Sequence, residues 1–127
     1  MRVALCGRNL DDLRSILSDY PVEIVGSAPD LVISYGGDGS LLGAEREYPG
    51  IPKCPIRDSS STPKCEEHEE REILDALFEN HLQSYVLTKL AVRKHGHSET
   101  LSGLNDICLH RTICSSAVRY RIWLDDQ

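Results

Sequence analysis

Short apolar runs recur along the first half of the chain, and each is bounded by glycine, proline or polar residues. Three of them indicate strands: RVALC at 2–6 and DLVISY at 30–35 are typical of buried strands, and VEIVG at 22–26 indicates a further strand. A fourth run, IPKCPI at 51–56, contains two prolines, which remove backbone donors from a sheet. We therefore expect this fourth strand at a sheet edge.

Stretches with apolar residues at helical spacing separate these runs. Residues 10–20 follow Asn9, which is a good N-cap residue for a helix. Residues 40–48 and 66–80 also indicate helices, and the second of these carries an apolar stripe behind a glutamate-rich first turn. Strands alternating with helices predict an α/β fold, a Rossmann-like parallel sheet with flanking helices.

The last third of the chain changes character. Residues 84–94, 105–111 and 118–126 favour strands, and the stretch 94–103 is turn-like. We predict one α/β domain over residues 1–127, in which about 84–127 forms the start of a β-rich segment with antiparallel strands.

The stretch SYGGDGSLLGAERE at 34–47 surrounds Asp38 with three glycines, between a predicted strand and a predicted helix. This order places the loop at the C-terminal edge of a parallel sheet, where open α/β proteins bind ligands. Loop amides and a helix N-terminus favour phosphates. A carboxylate there needs a task, and two fit: accepting a proton from a hydroxyl, or holding a magnesium ion. A tight turn with an Asx-type hydrogen bond is the alternative without function.

Two motifs resemble those of a known family. GGDGSLL resembles the Gly-Gly-Asp-Gly motif of NAD kinases, diacylglycerol and sphingosine kinases, and 6-phosphofructokinases. LNDICLHR at 104–111 resembles a second motif that NAD kinases carry at a similar spacing. The resemblance to the NAD kinase N-terminal domain implies that ATP, with its Mg²⁺, or polyphosphate phosphorylates the adenosine-ribose 2′-hydroxyl of NAD to give NADP.

The resemblance also implies a role for each matching residue. Asp38 is the implied catalytic proton acceptor, and Asn105 and Asp106 are the implied contacts to NAD. The implied phosphate-facing loop consists of Gly36, Gly37, Gly39 and Ser40.

The chain departs from the family pattern in three places. NAD kinases usually have threonine where this chain has Ser40. They usually have a glycine-rich stretch ending in Phe-Leu where this chain has IRDSSSTPKCEEH. They also continue into a large β-rich C-terminal domain, which would only be starting at Gln127. A non-catalytic nucleotide-binding domain, a fragment inactive alone and a lipid kinase-like domain therefore stay as alternative functions.

Composition limits the partners. The 127 residues carry a net charge of -6, which disfavours general binding to nucleic acid. No apolar run approaches the length of a membrane span, and the N-terminus lacks a signal-peptide pattern, so the expected location is the cytoplasm. The expected partners are NAD and ATP, and the oligomeric state stays open, with a homo-oligomer among the alternatives.

Five cysteines are present, and Cys6 and Cys108 lie within apolar runs, which is typical of reduced, buried thiols. Cys54, Cys65 and His68 are the best candidates for a zinc site. Such sites usually hold four ligands in two close pairs, so we predict no resident metal.

Overall fold

The computed structural model describes residues 1–60, 69–108, 117 and 119–124. The chain divides into two compact units, Met1–Ser84 and Tyr85–Gln127. Each unit has its own sheet. The single domain predicted over 1–127 stays a prediction.

The first unit contains a parallel sheet of four strands in the order β2-β1-β3-β4. Its strands are β1 (Arg2–Gly7), β2 (Glu23–Ile24), β3 (Leu31–Tyr35) and β4 (Lys53–Ile56), and its helices are α1 (Leu10–Leu17), α2 (Asp38–Glu47) and α3 (Glu70–Phe78). The predicted α/β fold with a parallel sheet and flanking helices is confirmed. The proline-containing β4 lies at the sheet edge, as predicted.

The sheet has two buried faces because alternate residues of each strand point to opposite sides. On one face, Val3 and Ile33 pack in a buried cluster with Leu13 of α1 and Leu74 of α3. On the other face, the small residues Ala4, Cys6 and Val32 pack against Ala44 of α2. The apolar stripe predicted in α3 is confirmed, since Ile73, Leu77 and Phe78 pack against the first cluster beside Leu74.

Asn9 occupies the N-cap position of α1, as predicted, but its side chain makes no capping hydrogen bond. Its backbone is left-handed, with φ 51°, and its side-chain nitrogen donates a hydrogen bond to Asp58 Oδ2 at 2.7 Å. A tertiary partner that is distant in sequence has replaced the local capping bond.

The second unit contains an antiparallel pair, β5 (Leu90–Arg93) and β6 (Thr100–Gly103), in which Val92 lies opposite Leu101. β6 occupies part of the stretch predicted as a turn. The strands predicted at 105–111 and 118–126 are not found at 105–108 or 119–124, and their other residues lie outside the described part of the chain. Alternating apolar residues form a strand only where a neighbouring strand pairs with them, which local pattern cannot show.

The cysteines divide by unit. Cys6 and Cys54 are buried free thiols in the first unit, whereas Cys108 is exposed, which corrects its predicted burial. Cys65, Cys114 and His68 lie outside the described residues, so the expectation of no zinc site there stays a prediction. Within the described ranges, no three His, Cys, Asp or Glu side chains are grouped as metal ligands. None of the helices in those ranges is both long enough and apolar enough to cross a membrane.

Candidate functional site

The carboxyl ends of β1 and β3 lie side by side in the sheet, at the point where the strand order reverses. β1 pairs with β2 on one side and with β3 on the other, so the first two connections run to opposite sides. Open α/β proteins bind ligands in the crevice at such a point. A cleft of about 570 Å³ opens here, which is within the size range of small-ligand sites.

The cleft is walled by the end of β1, the loop after β3 and one side of α2. Its lining residues are Cys6, Gly7, Arg8, Gly36, Gly37, Gly39, Ser40, Gly43, Ala44 and Glu47. Four of the predicted site residues, Gly36, Gly37, Gly39 and Ser40, are thus brought together in one wall.

Two glycines are required by the backbone of this cleft. Gly7 has φ 136°, and a Cβ there would lie 1.9 Å from the carbonyl oxygen of Tyr35. Gly36 has φ 131°, and a Cβ there would lie 2.6 Å from Ser40 Oγ. The Gly36 N–H donates a hydrogen bond to Ile56 O at 2.9 Å, which ties the glycine loop to the end of β4.

Two other glycines have no such structural reason. Gly39 and Gly43 lie one turn apart in α2, and a Cβ at either position would meet nothing within 4 Å. Neither has a positive φ. Glycine inside a helix costs about 1 kcal/mol relative to alanine, so these residues weaken α2 without relieving any contact. Their effect is to leave a bare helix face on the cleft, where a ligand can approach the backbone.

The cleft contains one thiol in an unreactive state. Cys6 Sγ donates to Glu47 Oε2 at 3.5 Å. Burial, together with the negative charge of Glu47 and this hydrogen bond, raises the pKa of Cys6 to about 11. The thiol is therefore protonated at neutral pH and is a poor nucleophile.

Asp38 is the first residue of α2, rather than part of the loop before it. Its side chain is 86% exposed and does not belong to the cleft lining, although Gly37 and Gly39 on either side of it do. Its Oδ1 lies 3.4 Å from Nη2 of Arg57, the residue that follows β4. Asp38 therefore stands at the rim of the cleft, on the side toward β4.

The Asx turn considered as an alternative at Asp38 is not formed. The N–H of Ser40, which such a turn would direct to the Asp38 carboxylate, donates to Gly37 O at 2.9 Å instead. A carboxylate in the first turn of a helix is still favoured by the helix dipole, so that structural role accompanies any chemical one.

Asn105 and Asp106 belong to the second unit and lie exposed in the bend that follows β6. Asp106 Oδ2 accepts a hydrogen bond from Cys108 Sγ at 2.9 Å, and this bond and the carboxylate charge raise the pKa of Cys108. A Cβ at Gly103 would lie 2.6 Å from Asp106 O, so the bend closes tightly on the strand end. The role of this pair in nucleotide binding stays a prediction.

Sequence reasoning missed two arginines beside the glycine loop. Arg8 directly follows β1 and lines the cleft, and Arg57 directly follows β4 and contacts Asp38. A usable signal was present, because the residues that follow parallel strands gather at one sheet edge. Applying that rule to every predicted strand, and not only to the glycine-rich one, would have found both.

These features define a parallel α/β unit with a glycine-lined cleft suited to phosphates. The cleft lies where the strand order of the sheet reverses, between β1 and β3. The sequence is similar to those of NAD kinases. The NAD kinase of Chromohalobacter salexigens is 32% identical over 111 residues, which cover 81% of this chain and 38% of that protein. Those of Pseudomonas putida (strain W619) and Pseudomonas entomophila are 32% and 34% identical over 115 and 116 residues, covering 83% of this chain and 38% of each relative.

The chain thus spans about two-fifths of the length of the curated relatives it matches. No protein-family model matches it. The similarity to NAD kinases supports the family to which the glycine motif and the Asn-Asp motif pointed.

Proposed function

We propose that this chain is the N-terminal nucleotide-binding part of an NAD kinase. The reaction transfers the γ-phosphoryl group of ATP, or a phosphoryl group of polyphosphate, to the adenosine-ribose 2′-hydroxyl of NAD and gives NADP. The observation that carries the proposal is the glycine-lined cleft at the ends of β1 and β3, in a chain whose sequence is similar to NAD kinases.

The cleft is proposed to hold the phosphates of the donor. Backbone amides around Gly37 and Gly39 lie at the N-terminus of α2, where partial positive charge attracts anions. Arg8 adds a full positive charge to the lining. The bare positions at Gly39 and Gly43 let phosphate oxygens approach the helix backbone closely. Mg²⁺ enters as part of the ATP substrate, where the phosphates hold it.

Asp38 is proposed as the general base. Its carboxylate accepts the proton of the ribose 2′-hydroxyl while that oxygen bonds to the γ-phosphorus, and the bond from phosphorus to the bridging oxygen breaks to release ADP. Exposure at the cleft rim leaves the Asp38 side chain room to turn toward a substrate. Asn105 and Asp106 are proposed to contact NAD, as the resemblance implies.

The test of the base is NADP formation by this chain and by Asp38→Asn. The substitution keeps the shape of the side chain and removes its ability to take a proton. We expect turnover to fall by about 100-fold to 10,000-fold, while ATP binding persists. Unchanged turnover would remove Asp38 from the mechanism.

The test of the cleft is Gly39→Ala, with Gly26→Ala as the matched control. A Cβ at either position meets nothing within 4 Å, but only Gly39 lines the cleft. We expect Gly39→Ala to keep α2 folded, since alanine favours helix, and to weaken ATP binding in calorimetry. If both variants bind ATP like the unsubstituted chain, the cleft is not the donor site.

A non-catalytic nucleotide-binding domain is the second candidate. One observation favours it: the Asp38 side chain lies outside the cleft lining. Calorimetric binding of ATP and NAD without NADP formation would support it. A lipid kinase-like function is less favoured because the relatives described above are NAD kinases. A homo-oligomer and a cytoplasmic location stay predictions.

A further inference from the structure

Arg57 directly follows β4, and the structure holds its backbone firmly beside the glycine loop. The preceding residue, Ile56, is 1% exposed, and its carbonyl accepts the Gly36 N–H at 2.9 Å. The chain before Arg57 is thus joined directly to the first glycine of the motif.

The residue that follows Arg57 is equally fixed. Asp58 is 1% exposed, and its Oδ2 accepts a hydrogen bond from Asn9 at 2.7 Å. Its Oδ1 accepts the N–H of Ser60 at 3.0 Å. Because both neighbours of Arg57 are buried, its backbone is held in place. Its side chain is the part that can move between partners.

The Arg57 side chain makes only a weak contact with Asp38. Arg57 Nη2 lies 3.4 Å from Asp38 Oδ1, whereas charge-assisted bonds of this kind are usually about 2.7–2.9 Å long. Both side chains are substantially exposed, at 46% for Arg57 and 86% for Asp38, so solvent screens the pair. A guanidinium forms stronger, two-pronged hydrogen bonds to phosphate, so it would exchange this contact for a phosphoryl group at little cost.

The negative side chains at this site favour a positively charged residue beside them. Asp38 places a negative charge beside a cleft proposed for phosphates, and Glu47 adds another in the cleft lining. Arg8 is the positive side chain on the β1 side of the glycine loop, and Arg57 is its counterpart on the β4 side.

We propose that Arg57 is a phosphate-binding residue of this site, whose guanidinium exchanges its contact with Asp38 for two hydrogen bonds to a phosphoryl group of the polyphosphate donor. The inference rests on the proposed function, because it takes the glycine-lined cleft to be the donor site. It assigns donor recognition to a residue outside both family-like motifs.

Calorimetric titration with tripolyphosphate and with ATP tests this, using the unsubstituted chain, Arg57→Gln, Arg57→Lys and Arg71→Gln. Tripolyphosphate has no base or sugar, so it reports the phosphate contact alone. Arg71 is the matched control, because it is also an exposed arginine paired with a carboxylate, Asp19, at 2.8 Å, but it lies in α3 and its ion pair involves neither the glycine loop nor Asp38.

We expect Arg57→Gln to weaken the binding of both ligands by about tenfold to a hundredfold, which corresponds to one lost charge-assisted contact. Arg57→Lys should lose less affinity, since lysine keeps the positive charge but not the two-pronged hydrogen bonding of the guanidinium. Arg71→Gln should stay within about twofold. Circular dichroism of each variant checks that the fold is kept.

Equal affinities for Arg57→Gln and Arg71→Gln would overturn the role of Arg57, and NADP formation by the unsubstituted chain would then leave the proposed function standing. If the unsubstituted chain binds neither tripolyphosphate nor ATP, both the role of Arg57 and the proposed function are wrong.

Discussion

The two units of the chain treat their apolar side chains in opposite ways. Among the described residues, all the hydrophobic side chains classed as buried belong to Met1–Ser84. In Tyr85–Gln127, large apolar side chains are exposed instead, with Tyr85 at 78% and Trp123 at 64%. Even the facing pair Val92 and Leu101 of the β5–β6 hairpin is 42% and 58% exposed.

This difference shows where the free energy of folding resides. The elements that form the walls of the candidate cleft all contribute buried core residues, such as Val3 of β1, Ile33 of β3 and Ala44 of α2. The core clusters that support these walls consist of residues of the first unit. A small hairpin with little buried apolar surface gains little stability by itself.

The largest expected effect comes from removing matched leucines from the two units. Leu13 is 0% exposed in the main core, whereas Leu101 is 58% exposed in β6. Leu13→Ala should lower the free energy of unfolding by about 2–5 kcal/mol because it deletes buried methyl groups and leaves a cavity. Leu101→Ala should change it by about 0.5 kcal/mol or less. Urea denaturation followed by circular dichroism measures both.

Similar losses for the two variants would break the comparison. That result would mean that Leu101 is buried in the protein in solution, and that the second unit shares in the cooperative core.

The first unit was predictable from sequence because parallel strands that are buried on both faces leave a strong signal. The runs at 2–6 and 30–35 correspond closely to Arg2–Gly7 and Leu31–Tyr35, and the order of strands and helices limited the topology. The position of the glycine motif at the sheet edge followed from the same order.

Features that depend on distant partners were not predictable. Asn9 has the sequence of a helix cap, yet Asp58 takes its side chain. Cys108 lies in an apolar run, but the strand expected around it is not formed over 105–108. The contact of Arg57 with Asp38 joins the residue after β4 to the first residue of α2, 19 positions earlier in the chain, so neither residue alone indicates it.

A pair of glycines with positive φ sharpens the comparison further. Gly7 has φ 136° and a Cβ there would collide with Tyr35 O, whereas Gly96 has φ 78° in the turn before β6 and open space around it. Gly7→Ala should cost about 3 kcal/mol, the upper end for a strained backbone, because β1 must also move away from β3. Gly96→Ala should cost about 1 kcal/mol, from the left-handed conformation alone.

Thermal unfolding of both variants measures these costs, and calorimetry with ATP adds a second readout. Gly7→Ala should also weaken ATP binding, since it displaces the β1 wall of the cleft. Wild-type stability in Gly7→Ala would mean that β1 and β3 are not as close at their ends as the structure has them.

The smallest expected effect is a pH dependence that belongs to the first unit. Glu70 Oε1, at the start of α3, accepts hydrogen bonds from Ser59 N–H at 3.0 Å, the Ser59 hydroxyl at 2.8 Å and the Tyr35 hydroxyl at 3.2 Å. Burial alone would raise the pKa of Glu70, but the hydrogen bonds from Ser59 and Tyr35 outweigh it and lower the pKa. The contact therefore ties α3 to the end of β3 most strongly when Glu70 is ionised.

Because the folded-state pKa lies below the unfolded one, this contribution to stability is complete above the unfolded value, near pH 4.3, and is lost as the pH falls through the folded value. Urea denaturation between pH 7 and pH 3 should show a shallower acid loss in Glu70→Gln than in the unsubstituted chain. Glu72→Gln, in the same turn of α3 but exposed, should keep the original slope. Equal slopes for Glu70→Gln and the unsubstituted chain would show that this carboxylate does not hold α3 to the sheet, and the acid sensitivity would then have to come from another part of the molecule.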